Sequence, residues 1–368
     1  MNRIAVFALL LLSFVSCTHR SANTEAREGN LYAAGFTLTD SADCRIATVY
    51  SPWEKGKVMA IYRLTRGKAQ KGEIHVPLSR INIASSTHAG FIDAIGCTRC
   101  ISGVCNPEYI YTSLDSCLGT IDDCLNLGDG MSPSVERVLL SRPDAMMIST
   151  YAQGDAAAKQ LLKLNIPIIY NNEWMEHHPL ARAEWIRFVA AFFCKEEFAD
   201  SLFSATVERY KSLCRLAAES QKNGQKTIMS GQDFRGTWYV PSGSTYMGHL
   251  FRDACAAYHY ADDPHEGSIP LTVEQAVQDF ATEADVWVGA SAATMEELKN
   301  ADEKHTWFKA YQNGEVYNFH HRTTPSGAND FWEKGVVCPD LILADLISIL
   351  YHEVLPDHQL IYTEKLKD

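Results

Sequence analysis

The chain has 368 residues, 46% of them hydrophobic, and a formal net charge of −12. That hydrophobic share is ordinary for a globular protein and ample for sizeable cores. The acidic balance argues against nucleic acid or anionic lipid headgroups as the main partner.

Read from its start, the chain opens on Asn2 and Arg3 and then an almost unbroken hydrocarbon run, Ile4–Val15. This run is shorter than the roughly 20 residues that span a bilayer and has the size of a signal-peptide core. Phe14-Val15-Ser16-Cys17 follows and resembles a bacterial lipobox, although that pattern prefers Leu where Phe14 stands. Residues 1–16 are therefore read as a lipoprotein signal peptide, Cys17 as the lipid anchor and the polar residues 17–28 as a tether. Thr18-His19-Arg20 carries no acidic surface-export signal, so the expected location is the periplasm, held at the membrane by the N-terminal lipid. No later segment approaches transmembrane length.

The remaining ~350 residues suggest two lobes. Arg80–Ser85 reads as a short buried strand entering a polar turn at Ser86-Thr87-His88, with a helix from about Gly90 to Ile95. Ser134–Leu140 is helical in period, Pro143–Ser149 is a second buried strand, Asp155–Leu164 an amphipathic helix and Ile166–Tyr170 a third strand. Strands alternating with helices of this length imply parallel β-α-β units, whose ligands approach the carboxyl ends of the strands. A helical stretch from Pro179 to about Gln221 follows, broken near Cys194-Lys195, with Phe198, Leu202, Phe203, Val207, Tyr210 and Leu213 along one side. The second half repeats the logic. Lys226–Gly231, Asp285–Val288 and Glu315–Phe319 read as strands, and helices cover Met247–Ala257, Val273–Phe280, Met295–Lys299 and Pro339–His352. The expected organisation is an N-terminal lobe at 29–180, a helical linker at 181–222 and a C-terminal lobe at 223–368. Each lobe is a three-layer α/β/α unit with a parallel sheet, and the ligand cleft lies between them.

There are 11 cysteines. Export makes disulfides plausible, and the five from Cys97 to Cys124 are the best placed for local bridges, with pairing left open. Cys194 and Cys214, in apolar helical contexts, are expected to be free thiols. Cys97-x-x-Cys100 lacks a second pair for zinc, and no strand runs into it at a helix start as in thioredoxin-like sites.

One pattern recurs. Ser134-Val135-Glu136 and Thr272-Val273-Glu274 each place a Glu in the first turn of a helix that leads to a buried strand with an Asp at its entrance, Asp144 and Asp285. One such Glu is simply a helix-dipole acid. Two in equivalent positions of two lobes resemble the helical-backbone class of periplasmic binding proteins, which serve importers of cobalamin, iron-siderophores and haem. Arg80–Ile83 looks like that family's first strand, Thr237–Tyr246 like its second-lobe ligand loop and Val337–Leu346 like its C-terminal helix.

The resemblance covers nearly the whole mature chain. It implies a non-enzymatic, monomeric solute-binding component of an ABC importer, with the permease dimer of the inner membrane as partner. Glu136 and Glu274 would form salt bridges with permease arginines. The cargo would be a small-molecule metal chelate, such as a ferric siderophore, haem or cobalamin, with no resident cofactor or metal. Ligand-facing candidates are His88, Tyr151, Trp238, Tyr239, Tyr246, His320 and Arg322. Trp174, His321 and Trp332 also sit on cleft-side loops. At most one of His320 and His321 should reach a ligand, because neighbours on extended chain point opposite ways. For Trp332 and its neighbour Phe331, core packing of one is expected. The alternatives are an exported metal-dependent enzyme or a lipid-anchored accessory scaffold. Gly-x-Ser-x-Gly and His-Glu-x-x-His are absent from the sequence.

Overall fold

A computed structural model describes residues 29–41, 43–112, 124–150, 156–220 and 224–368. The signal peptide, Cys17, the tether, Cys117 and Tyr151 lie outside the described residues. The chain opens on a sheet that the sequence reading missed. Strands β1 (Phe36–Asp40), β2 (Arg45–Tyr50) and β3 (Val58–Thr65) pair antiparallel, and β4 (Glu73–His75) adds parallel to β3. Strand alternation turns Phe36, Ala47, Val49, Tyr62 and Leu64 inward.

Next come β5 (Ile81–Ile83), α1 (Ser86–Ala94), β6 (Ile101–Val104), β7 (Leu125–Asn126) and the small hairpin of β8 (Gly128–Asp129) and β9 (Ser132–Pro133). Helix α2 (Val135–Ser141), strand β10 (Ala145–Ile148), helix α3 (Ala156–Lys163) and strand β11 (Ile168–Tyr170) complete the first lobe's sheet, of order β11-β10-β5-β6-β7 and parallel throughout. The expected turn at Ser86–His88 is instead the first turn of α1, because Ser85 caps the helix by accepting from the Thr87 amide.

Two helices connect the lobes. Helix α4 (Pro179–Ala191) is buried on nearly every side, and its Trp185 and Phe188 pack on Phe36 of β1. It ends at Ala191, and the break expected near Cys194 lies just beyond, where a φ of 53° cannot continue a helix. Helix α5 (Glu196–Ser220) then runs for 25 residues, about 38 Å at 1.5 Å per residue. Phe203, Val207 and Tyr210 form its buried side, whereas Phe198 is left exposed. It packs against α4 and against α11 of the second lobe.

The second lobe comprises β12 (Thr227–Ser230), β13 (Asp233–Phe234), β14 (Thr237–Pro241), α6 (Tyr246–Asp253), β15 (Ala257–Tyr258), β16 (Ser268–Thr272), α7 (Val273–Phe280), β17 (Val286–Val288), α8 (Met295–Ala301), α9 (Lys309–Gln312), β18 (Val316–Asn318), α10 (Asp330–Glu333), α11 (Pro339–Leu350) and β19 (Glu364–Lys365). Its main sheet has the order β15-β12-β17-β18-β19, parallel except for the antiparallel edge β19. The segment expected to be a ligand loop, Thr237–Tyr246, begins instead as β14, the centre of a small sheet β13-β14-β16.

Both lobes solve one problem identically. The amide of Asp144 donates to the Arg80 carbonyl, and its carboxylate accepts from the amides of Ser79 and Arg80 at 2.8 and 2.9 Å. Asp285 does the same to Thr227, with its carboxylate accepting from the Thr227 amide at 2.9 Å. Each aspartate pins the start of the strand beside its own, β5 in the first lobe and β12 in the second, which is the structural content of the sequence repeat.

Other carboxylates hold the chain ends. Glu184 accepts from the amides of Leu31, Tyr32 and Ala33, each at 2.8 Å, and Glu176 accepts from Ala34, Gly35 and the Trp185 indole. Asp345 of α11 accepts from the amides of Ile361, Tyr362 and Thr363. Asp345→Ala removes that acceptor and strands buried donors, so it should cost about 3 kcal/mol. Urea unfolding checks this, and a loss below about 0.5 kcal/mol would remove Asp345 from the role.

Candidate ligand cleft and docking face

The loops leaving the carboxyl ends of the two parallel sheets meet one another. Tyr111, beyond β6, donates its amide to Glu333 at 2.6 Å, and Thr112 donates to the other oxygen at 2.8 Å. Arg322, beyond β18, lies 5.4 Å from the Tyr111 ring centroid and forms an ion pair with Asp330 at 2.9 Å. Lys334 pairs with Asp93 of α1 at 2.8 Å. Helix α1 comes so close that a Cβ at Gly90 would strike the Glu333 carbonyl. Deeper in, Arg182 of α4 stacks over Tyr246 of α6 at 5.2 Å and reaches Glu173 at 3.5 Å. Burial raises the Glu173 carboxyl above its usual range against the pull of Arg182, and burial pushes Tyr246 up to about 12. The lobes thus face each other across a junction of aromatic rings, guanidinium groups and buried acids, a setting suited to a partly apolar ligand with charged substituents.

The sequence candidates divide. Tyr246 and Arg322 stand at this junction. Arg322 spends its charge on Asp330 rather than projecting freely. His320 is half-buried and donates its amide to Asn318, while His321 is exposed. Tyr239 is half-exposed on β14. Trp238 is corrected: it is fully buried, packed against Trp287 and Phe308, and its indole donates to the Ser230 carbonyl at 3.1 Å. Period-2 alternation puts Trp238 and Val240 inward and Tyr239 outward. His88 is also corrected. Drawn into α1, it is fully buried, with Nε2 3.2 Å from Ser149 Oγ, and burial holds its pKa down to about 3. Phe331 takes the core position, stacked on Phe319, and Trp332 is exposed. Trp174 is half-buried in a short turn after β11.

Sequence reasoning missed Glu333, Tyr111, Arg182 and the tip of the β13–β14 turn. There Phe234 is 63% exposed, and Arg235 stacks over its ring at 5.1 Å. The Arg235-Gly236 pair was the available signal for a hairpin, since both turn residues have a positive φ, which Gly suits. Glu333 offers none, since its partners lie more than 200 positions away. The nine described cysteines are free thiols, so the expected bridges are not formed among them. Among the described residues no group of three or more His, Cys, Asp or Glu could hold a metal ion, and no helix is long and apolar enough to cross a membrane.

Glu136 and Glu274 occupy the same cap position in their lobes. Ser134 and Thr272 accept from the amides of Arg137 and Gln275, and each Glu is the second residue of its helix. Both are exposed; Glu274 lies 3.7 Å from Lys304.

A family model described as periplasmic binding protein matches residues 92–323. An uncharacterized lipoprotein of Methanocaldococcus jannaschii is 26% identical over 290 residues, 76% of this chain and 67% of that protein. A periplasmic heme binding protein from Pseudomonas aeruginosa superposes with a TM-score of 0.60 at 15% identity, covering 79% of this chain and 99% of its own. The molybdate periplasmic binding protein of a Haemophilus influenzae ABC transporter has the same TM-score and identity, covering 78% of this chain and 90% of its own.

His88 has a direct consequence for stability. Its folded-state pKa near 3 lies below the value of about 6.5 of an unfolded histidine, so between these values only the unfolded chain takes up the proton. Its contribution is present above pH 6.5 and is lost as the pH falls toward 3. In His88→Gln, the stability difference between pH 7 and pH 5 should shrink by about 2 kcal/mol, measured by urea unfolding at both values. An unchanged difference would contradict the burial of a neutral imidazole.

Proposed function

The chain belongs to the periplasmic binding protein family, and from that premise we propose that it is the lipid-anchored solute-binding component of an ABC importer, carrying an iron chelate or tetrapyrrole to the permease. Cys17 is the anchor, and the lipoprotein named among its relatives supports that reading. The observation that carries the importer role is the repeated cap, Ser134-Val135-Glu136 and Thr272-Val273-Glu274, which presents one exposed carboxylate per lobe. Two rim charges set far apart on one body give orientation and on-rate more than affinity, as suits a carrier that docks and then leaves.

The ligand is held between the lobes, against Tyr111, Tyr246 and the Arg322–Asp330 pair, with Tyr239, His320 and the Phe234–Arg235 tip at the edges. Aromatic faces beside guanidinium groups suit a flat chelate with carboxylate arms, and the heme binding protein of the same fold supports that class. The molybdate protein makes a small oxyanion the reading to test against it. Binding and release is the whole activity.

Two measurements decide. Residues 21–368 are titrated with haem, cyanocobalamin, a panel of ferric siderophores and molybdate, followed by tryptophan fluorescence and visible absorption. Saturable binding of one chelate at micromolar affinity or tighter is expected. Binding of molybdate alone, or silence across the panel, would overturn the chelate assignment. Replacing Glu136 and Glu274 together by Ala should abolish uptake while leaving that affinity within about twofold, since the change lies outside the cleft. Unimpaired uptake would remove the docking role.

A further inference from the structure

Just after α1, Cys97 and Cys100 close a single 3-10 turn, with the Cys100 amide donating to the Cys97 carbonyl at 2.9 Å. Such a turn has three residues and rises about 2.0 Å per residue, so its end side chains eclipse and their Cα atoms stand roughly 6 Å apart. That separation falls inside the range a disulfide bridges without moving the backbone. The Cys97 thiol donates to the Ile95 carbonyl at 3.7 Å. The surroundings of the two thiols differ. Cys97 is 8% exposed, and Cys100 is partly buried at the edge of the core.

The geometry points to Cys97 and Cys100 as a redox-active dithiol that closes to a disulfide by exchange with a small-molecule disulfide, Cys100 attacking and Cys97 resolving. The neighbouring Cys97 side chain holds the Cys100 thiol down at about 7, against burial and the nearby Asp144 carboxylate, while that proximity and burial push Cys97 up, with Lys195 opposing. About half of Cys100 is therefore thiolate near neutral pH. The Cys100 thiolate attacks one sulfur of the external disulfide, forming a mixed disulfide and expelling one thiolate. Cys97 then loses its proton and attacks the Cys100 sulfur, expelling the second. The protein loses two protons and two electrons, and the external disulfide becomes two thiols.

The turn has a structural consequence as well. Thr98, between the two cysteines, donates its hydroxyl to Asp93 at 3.0 Å, and Asp93 holds Lys334 of the other lobe. Closing the disulfide fixes the turn that orients an ion pair across the lobe junction. The pair is set apart from thioredoxin-like sites because it precedes a strand, β6, rather than opening a helix after one.

The test uses the mature chain isolated from exporting cells and alkylated without reductant, then a reduced sample treated with oxidised glutathione. Trypsin cleaves after Arg99, between the two cysteines, so the disulfide should appear as two joined peptides with Cys97 linked to Cys100. Cys97 linked to Cys105, Cys117 or Cys124, or alkylated in both samples, would overturn the proposal. In the reduced chain, Cys97→Ala should slow iodoacetamide labelling of Cys100 at pH 7 by about tenfold, because Cys100 returns toward an ordinary thiol. An unchanged labelling rate would overturn the attacking role of Cys100.

Discussion

Buried carboxylates that accept from backbone amides hold this structure together at several places where helices and strands cannot. A buried loop carries donors that must find acceptors, and this chain supplies them from distant aspartates and glutamates. Glu184 and Glu176 receive residues 31–35, Asp345 receives 361–363, and Glu333 receives 111 and 112. Burying a carboxylate is costly unless it is well bonded. Two or three charge-assisted bonds per group, each worth about 1.5–3 kcal/mol, offset that cost and make the geometry specific. The first and last parts of the chain are thereby tied to α4 and α11, the two helices that also pack on or beside α5.

The aspartates at strand entrances extend the same principle to function. Asp144 and Asp285 fix where β5 and β12 begin relative to β10 and β17, and the helix before β10 and the helix before β17 each bear the exposed Glu. Positions of Glu136 and Glu274 are therefore inherited from sheet register rather than from mobile loops. The spacing between the two carboxylates is kept as long as both sheets and α5 keep theirs.

Much of this was legible in the sequence because it is local. Short apolar runs such as Ala145–Ile148, the amphipathic period through Tyr210 and the break at Cys194 each follow from neighbours in the chain. The paired glutamates were legible for the same reason, since cap, Val and Glu are consecutive. Trp238 was not, because its assignment as a loop residue ignored the alternation that pairs it with Leu271 on β16. His88 was placed in a turn because Ser85 was not recognised as a cap. Strands β1 to β3 carry a readable alternation, Phe36-Thr37-Leu38 against Ala47-Thr48-Val49, that went unread. The junction at Glu333 was illegible in principle, as only the folded chain brings α10 to Tyr111.

These placements change the argument about the ligand. Trp238, expected at the ligand, is a fully buried core residue, and His88 is buried and neutral. Neither that indole nor that imidazole can then select a cargo. What remains at the lobe junction is Tyr111 under Arg322, Tyr246 under Arg182, and acids that neutralise both guanidinium groups. A ligand entering here competes with Asp330 and Glu173 for the arginines. One that carries its own carboxylates in the right places can take over those pairs, whereas an uncharged ring would gain only the tyrosine faces. Selection at this junction would therefore rest on the anionic periphery of a ligand more than on an apolar ring.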